Sequence, residues 1–230
     1  MRRIVLAILG FLGSCGLACC LWMHIELLQQ GKQTVETAFV EFPYAIPGTP
    51  LVVEGLVSYE GAFLENIARE EVSEVAALMV RNTGEYGVGE SKVIVKQDSR
   101  ILRFFLTELP PKSSMLVLEE AAQRYSREPV QACEGTATCE KDGWYPEQYL
   151  EIREIEPGGL EIINCWTASL QGLRFCYKPA YPEGNFYLGG ITWDFFVGEL
   201  EPGETVQVYP EHYCCGVSKI LRCVWEEQTQ

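Results

Sequence analysis

A catalytic or metal centre is assembled from histidines, cysteines, paired carboxylates and activated hydroxyls, and in this chain those groups are few or wrongly spaced. Only two histidines occur, His24 and His212. A Ser-His-Asp hydrolase would have to use His212, yet there is no Gly-x-Ser-x-Gly elbow. A phosphate loop and a dinucleotide fingerprint are also missing. The vicinal pair Cys214-Cys215, with His212 before it and Cys223 after it, fits no zinc knuckle spacing. No Cys-x-x-Cys supplies a thioredoxin-type redox centre. Glu70-Glu71, Glu119-Glu120 and Glu226-Glu227 read as solvated surface rather than as glycosidase carboxylates or calcium ligands. The pattern argues against an enzyme and calls for no cofactor and no metal.

Seven of the ten cysteines lie beyond the first apolar run: Cys133, Cys139, Cys165, Cys176, Cys214, Cys215 and Cys223. Seven is odd, which precludes complete pairing within one ectodomain. Cys133 and Cys139 flank a turn-like stretch and are candidates for a local bridge in an oxidising compartment. Cys165 and Cys176, on what read as consecutive strands, are a second candidate pair, provided their Cα atoms come within about 7 Å. The alternative for Cys165 and Cys176 is that they are small buried hydrophobes.

The C-terminal part is rich in aromatics. Along Phe186 to Val197, strand alternation sends Phe186, Leu188 and Phe196 to one face and Tyr187, Ile191, Trp193 and Phe195 to the other. Both faces are apolar, so one must be covered by another element or by a partner. The stretch Lys178 to Asn185 reads as an exposed loop from its Pro and Gly residues. Tyr181, Tyr187, Trp193 and Phe195 are therefore the candidate binding surface, suited to a protein or to sugar rings. The competing reading buries them as core, where Ala substitutions would cost stability.

The elements that would hold such a surface begin at a membrane. Residues 4–23 run for twenty positions without a charge, enough for a helix across a hydrocarbon core of about 30 Å. Arg2 and Arg3 precede the run, which puts residues 1–3 in the cytoplasm as a short tip and the bulk of the chain on the extracytoplasmic side of the cell membrane. The expected partner of the run is membrane lipid. An uncleaved signal anchor is the leading reading; lipid modification at Cys15, after Leu12-Gly13-Ser14, and cleavage after Ala18 are the alternatives. Beyond the run, 16 basic residues face 32 acidic ones. A surface that acidic repels phosphate backbones, which sets nucleic acid aside as a partner.

Residues 24–43 read as a helical juxtamembrane stalk, ended by Pro43, Pro47 and Pro50. The remainder alternates short β-type runs with turn residues. Six runs, from Leu51 to Cys133, recur in the same order from Leu150 to Trp225. Glu108-Leu109-Pro110-Pro111 and the strand after it return 91 positions later (108 to 199) as Glu199-Leu200-Glu201-Pro202. The same offset sets Val130 on Leu221, and Arg81-Asn82-Thr83-Gly84 has a counterpart in Ile163-Asn164. An internal duplication follows, with β-sandwich domains at 44–131 and 148–230 and a linker at 132–147; one larger twelve-strand sandwich is the alternative.

This grammar of a strand ending in Asn, a hairpin and an LPPxxS-like turn resembles the tandem immunoglobulin-like modules of bacterial cell surfaces. With the anchor, the Phe42 to Pro50 segment and the Tyr187-Leu188-Gly189-Gly190-Ile191-Thr192 strand, the chain resembles an uncharacterised family of membrane-anchored, two-domain extracytoplasmic proteins of anaerobic Gram-positive bacteria. The resemblance implies an all-β pair of immunoglobulin-like sandwiches after one transmembrane helix, and carries over no catalytic residue. The expected function is a non-enzymatic protein-interaction or envelope-assembly module, with carbohydrate or cell-wall binding as the alternative.

Overall fold

The computed structural model describes residues 39–63, 65, 70–144, 146–181 and 185–226. The anchor, residues 24–38 of the stalk and the tip of the Lys178 to Asn185 stretch lie outside the described residues. Among the described residues, no helix is long and apolar enough to cross a membrane.

Apart from one turn of 3-10 helix at Pro146–Gln148, the regular structure of the described residues is β. The strands are β1 (Tyr44–Ala45), β2 (Leu51–Ala62), β3 (Glu71–Asn82), β4 (Gly87–Gln97), β5 (Arg100–Leu109), β6 (Ser114–Leu118) and β7 (Val130–Glu140). They continue with β8 (Leu150–Ile155), β9 (Gly159–Asn164), β10 (Leu170–Tyr181), β11 (Phe186–Leu188), β12 (Trp193–Leu200), β13 (Thr205–Val208) and β14 (Ser218–Glu226). Side-chain alternation makes these strands: in β5, Leu102, Phe104 and Leu106 are buried while Ile101, Arg103 and Phe105 point outward.

In the first half, β2-β3-β6 packs against β5-β4-β7 around Leu51, Leu78, Val93, Phe104 and Met115. In the second, β8-β9-β13 packs against β12-β10-β14 around Leu160, Leu173, Phe175, Val197 and Cys223. Six strands pair the same way in each half, with β1 in the first half and β11 in the second as additions. The duplication extends to single hydrogen bonds. Asn82, which ends β3, donates from Nδ2 to the carbonyls of Tyr86 (2.8 Å) and Pro110 (3.1 Å) and accepts at Oδ1 from the Gly84 N–H (2.9 Å). Asn164, which ends β9, donates to the carbonyls of Ala168 (2.9 Å) and Leu200 (2.8 Å) and accepts from the Trp166 N–H (2.9 Å). Both side chains are fully buried, and each ties its strand to the proline turn that recurs 91 positions on.

The two halves are not beads on a linker. Phe39–Gln230 forms one compact unit, and an eight-stranded sheet runs through both halves. The junction is β11, which pairs parallel with β6 (Tyr187 with Met115, Leu188 with Leu116) and antiparallel with β10. This explains the composition of β6. Met115 and Val117 face the first core, while Leu116 and Leu118 enter a second cluster with Phe63 and Ala77, covered by Phe186 and Leu188. A strand buried on both faces reads as a continuous apolar run, and each such side chain contributes about 1.5–3 kcal/mol of burial.

Several expectations are corrected. The linker at 132–147 is largely β7, paired with β4 from Gln97↔Val130 to Gly87↔Glu140. Stalk residues Phe39 to Pro43 are not helical; Val40 and Phe42 pack on the first core. The run from Phe186 to Val197 is two strands, because Gly190 turns at φ +78° and the Gly189 N–H bonds the Leu116 carbonyl. Lys178 to Ala180 belong to β10 rather than to an exposed loop, and Lys178 is fully buried. The register also replaces Leu221 by Ser218 as the counterpart of Val130: Val130 lies opposite Gln97, and Ser218 opposite Pro179 at the matching point of β10.

Candidate functional site

The residues singled out in the sequence do not form one surface. Trp193 and Phe195 lie on the inward parity of β12, half-buried against the second core. Phe195 stacks on Phe175 with centroids 4.8 Å apart, and Trp193 lies 3.8 Å from the ring of His212. Tyr187, on β11, packs against the first core. Tyr181 closes β10, and its side chain lies outside the described residues. Three of the four are thus packing residues at the second core and the junction. The large outward aromatic of β12 is Phe196, 68% exposed and under the guanidinium of Arg174.

The candidate disulfides are likewise corrected. Cys133 and Cys139 both lie on β7, and six residues of extended strand separate them by about 20 Å. Cys165 sits at the end of β9, whereas Cys176 lies six residues into β10, about 20 Å from the connecting loop. All seven described cysteines are free thiols. Burial pushes the Cys133 and Cys176 thiols up to about 11 and the Cys223 thiol higher still, which keeps them protonated and poorly nucleophilic.

Where the halves meet, charge is buried. Lys178 donates from Nζ to the Gly190 carbonyl at 2.6 Å. Desolvation lowers its ammonium to about 8, against the attraction of Glu65 and Glu108. Glu65 is pushed up to about 7, again chiefly by burial. Glu108 pairs with Arg222 at 3.5 Å, yet burial still raises its carboxyl, so the desolvation cost exceeds the help from the guanidinium. Arg222 also meets Glu140 at 3.3 Å and lies over the ring of Trp144. Trp144 in turn fills the space left by Gly87 of β4, where a Cβ would fall 1.9 Å from the indole. Thr107 and Thr192 share a 2.7 Å hydrogen bond across the same seam. These groups fix the two halves to one another; the sequence showed no sign of them because, apart from Lys178 and Gly190, the partners lie 57 (87 to 144) to 114 (108 to 222) positions apart.

A concavity lies beside this seam. A cleft of about 440 Å³ opens between residues 141–149 and the end of β14, lined by Asp142, Trp144, Gln148, Tyr149, Arg222 and Trp225 among others. Its aromatic wall is rigid: Tyr149 meets Trp225 edge-on at 5.1 Å and Trp166 at 5.3 Å. A second concavity of about 390 Å³, between Glu90, Glu108, Glu140, Arg174 and Asp194, is strongly acidic. On the outer sheet faces, Phe105 (40% exposed) sits opposite Lys92, and Phe196 opposite Arg174. The proline-turn repeat sets Phe105 on Phe196, and the Asn repeat sets Lys92 on Arg174, so an exposed phenylalanine with a cationic neighbour occurs at one position in both copies.

No protein-family model matches the chain. A search among curated proteins likewise finds no match.

Proposed function

We propose that the protein is a membrane-anchored, extracytoplasmic, non-enzymatic interaction module of the cell envelope, in which two immunoglobulin-like units act as one rigid body. Residues 4–23 are the anchor on this reading, and the bulk of the chain lies outside the membrane. The strand arrangement, with the first, second and fifth strands of each copy facing its fourth, third and sixth, supports the immunoglobulin-like assignment.

The observation that carries the interaction reading is the recurring outward phenylalanine beside a cation, Phe105 with Lys92 and Phe196 with Arg174. Neither ring adds to a core, and an exposed aromatic on a rigid sheet offers contact area at small entropic cost. The test is site-specific photo-crosslinking in intact cells of the native host, with a photoreactive residue at Phe105, Phe196 or, as control, Glu201 in an exposed turn. Crosslinks to the same envelope protein from positions 105 and 196, and none from 201, are expected. An indifferent pattern at all three positions contradicts the assignment.

A further inference from the structure

We infer that the cleft between residues 141–149 and the end of β14 is a binding site for a short, neutral saccharide. The site is separate from the outer-face phenylalanines and does not depend on them.

Comparison of the two copies within the chain locates it. In the first copy the segment entering the sandwich closes on its own core: Val40 and Phe42 pack inward, and the Val40 N–H bonds the Val130 carbonyl. In the second copy the entering segment meets the last strand at a different point, five residues beyond the counterpart of Val130, where the Cys223 N–H bonds the Gly143 carbonyl, and it then winds through the 3-10 turn at Pro146–Gln148. The cleft opens where this segment leaves β14. Its walls are aromatic.

The chemistry of the lining selects the ligand class. A pyranose ring offers a C–H face to an aromatic wall and a rim of hydroxyls that both donate and accept. Tyr149 and Trp225 supply the wall, and Trp166, 39% exposed, packs against both of their rings. Asp142 accepts, the Arg222 guanidinium donates, and Gln148 does both. Among the described residues the side chains of Asp142 and Gln148 take part in no hydrogen bond within the chain, whereas Arg222 is already held by Glu140 and the Asp142 carbonyl. A pre-formed aromatic pocket with a few fixed polar groups is the usual form of a small-ligand site, and about 440 Å³ falls within the usual range of roughly 300–1,000 Å³. The net charge of −14 disfavours polyphosphates and uronic-acid chains and leaves neutral or N-acetylated sugars.

The test uses the full chain in detergent micelles, titrated with chitotriose, cellotriose and maltotriose, and read by tryptophan fluorescence and calorimetry. Saturable binding of at least one trisaccharide is expected. Asp142→Ala and Gln148→Ala, both at exposed positions that line the cleft, should each weaken it by roughly tenfold, the scale of one lost polar contact, with melting temperature unchanged. Phe196→Ser should leave it unaltered, which separates this site from the outer-face reading. No saturable binding of any of the three sugars at millimolar concentration overturns the inference, and so does binding that both cleft variants leave intact.

Discussion

At the scale of the residue, the duplication is clearest in two asparagines. A side-chain amide has two N–H donors, and Asn82 and Asn164 each spend both on backbone carbonyls of a loop and a proline turn. Alanine at either position strands a buried carbonyl, that of Pro110 for Asn82 and of Leu200 for Asn164. We expect Asn82→Ala and Asn164→Ala each to cost about 2–3 kcal/mol, measured as a fall in urea midpoint at constant m-value; a loss within the scatter of ordinary surface substitutions would show that the amides are not structural. Lys178 gives a prediction of the opposite kind. Its folded-state value near 8 lies below the ordinary 10.5, so between those pH values the unfolded chain holds more protons than the folded one, and this group makes stability rise with pH across that window. Wild type should therefore gain on Lys178→Met by up to roughly 3 kcal/mol between pH 8 and 10.5. Equal slopes for the two proteins in that range would mean that the ammonium is solvated.

At the scale of the element, alternation made most strands legible: Leu51 to Tyr59, Ser91 to Lys96 and Ile101 to Leu106 fall inside β2, β4 and β5. Two elements were not legible, for definite reasons. β7 reads as a linker because Gly135, Thr136 and Thr138 are turn-like residues, yet it pairs with β4 along its length and presents polar side chains outward. The Phe186 to Val197 run hides a break at Gly189-Gly190, where the backbone approaches β6 so closely that a Cβ at Gly189 would lie 2.9 Å from the Leu116 carbonyl. That break is also why the candidate surface dissolved: it assigns Tyr187 to the junction and Trp193 and Phe195 to the second core, although alternation does put Trp193 and Phe195 on one face of β12. The aromatic excess itself was legible; the cleft was not, because Trp225 and Tyr149 are 76 positions apart (149 to 225). A direct consequence concerns truncation. A fragment of residues 39–131 lacks nearly all of β7 and leaves one edge of β4 unpaired, so its circular dichroism should be that of a largely unfolded chain, whereas a fragment ending at 142 should regain β signal. A well-folded 39–131 fragment would return residues 132–140 to the status of a connector.

At the scale of the whole molecule, the account rests on fusion. β11 joins the two halves through one sheet, Leu116 and Leu118 are buried by Phe186 and Leu188, and Lys178, Arg222 and Trp144 close the seam with buried charge and an indole seated on Gly87. The cleft and the outer-face phenylalanines then hold fixed positions on one body, and display from a membrane anchor would present them as a unit. In intact protoplasts, added protease should remove the bulk of the chain and leave a short anchored fragment; full protection would reverse the proposed orientation. The fusion itself is tested most directly by calorimetry of residues 39–230. One cooperative endotherm is expected, with calorimetric and van't Hoff enthalpies in agreement and a midpoint lowered as a whole by Gly87→Val, which drives a side chain into Trp144. Two separable transitions, with Gly87→Val shifting only one of them, would contradict it.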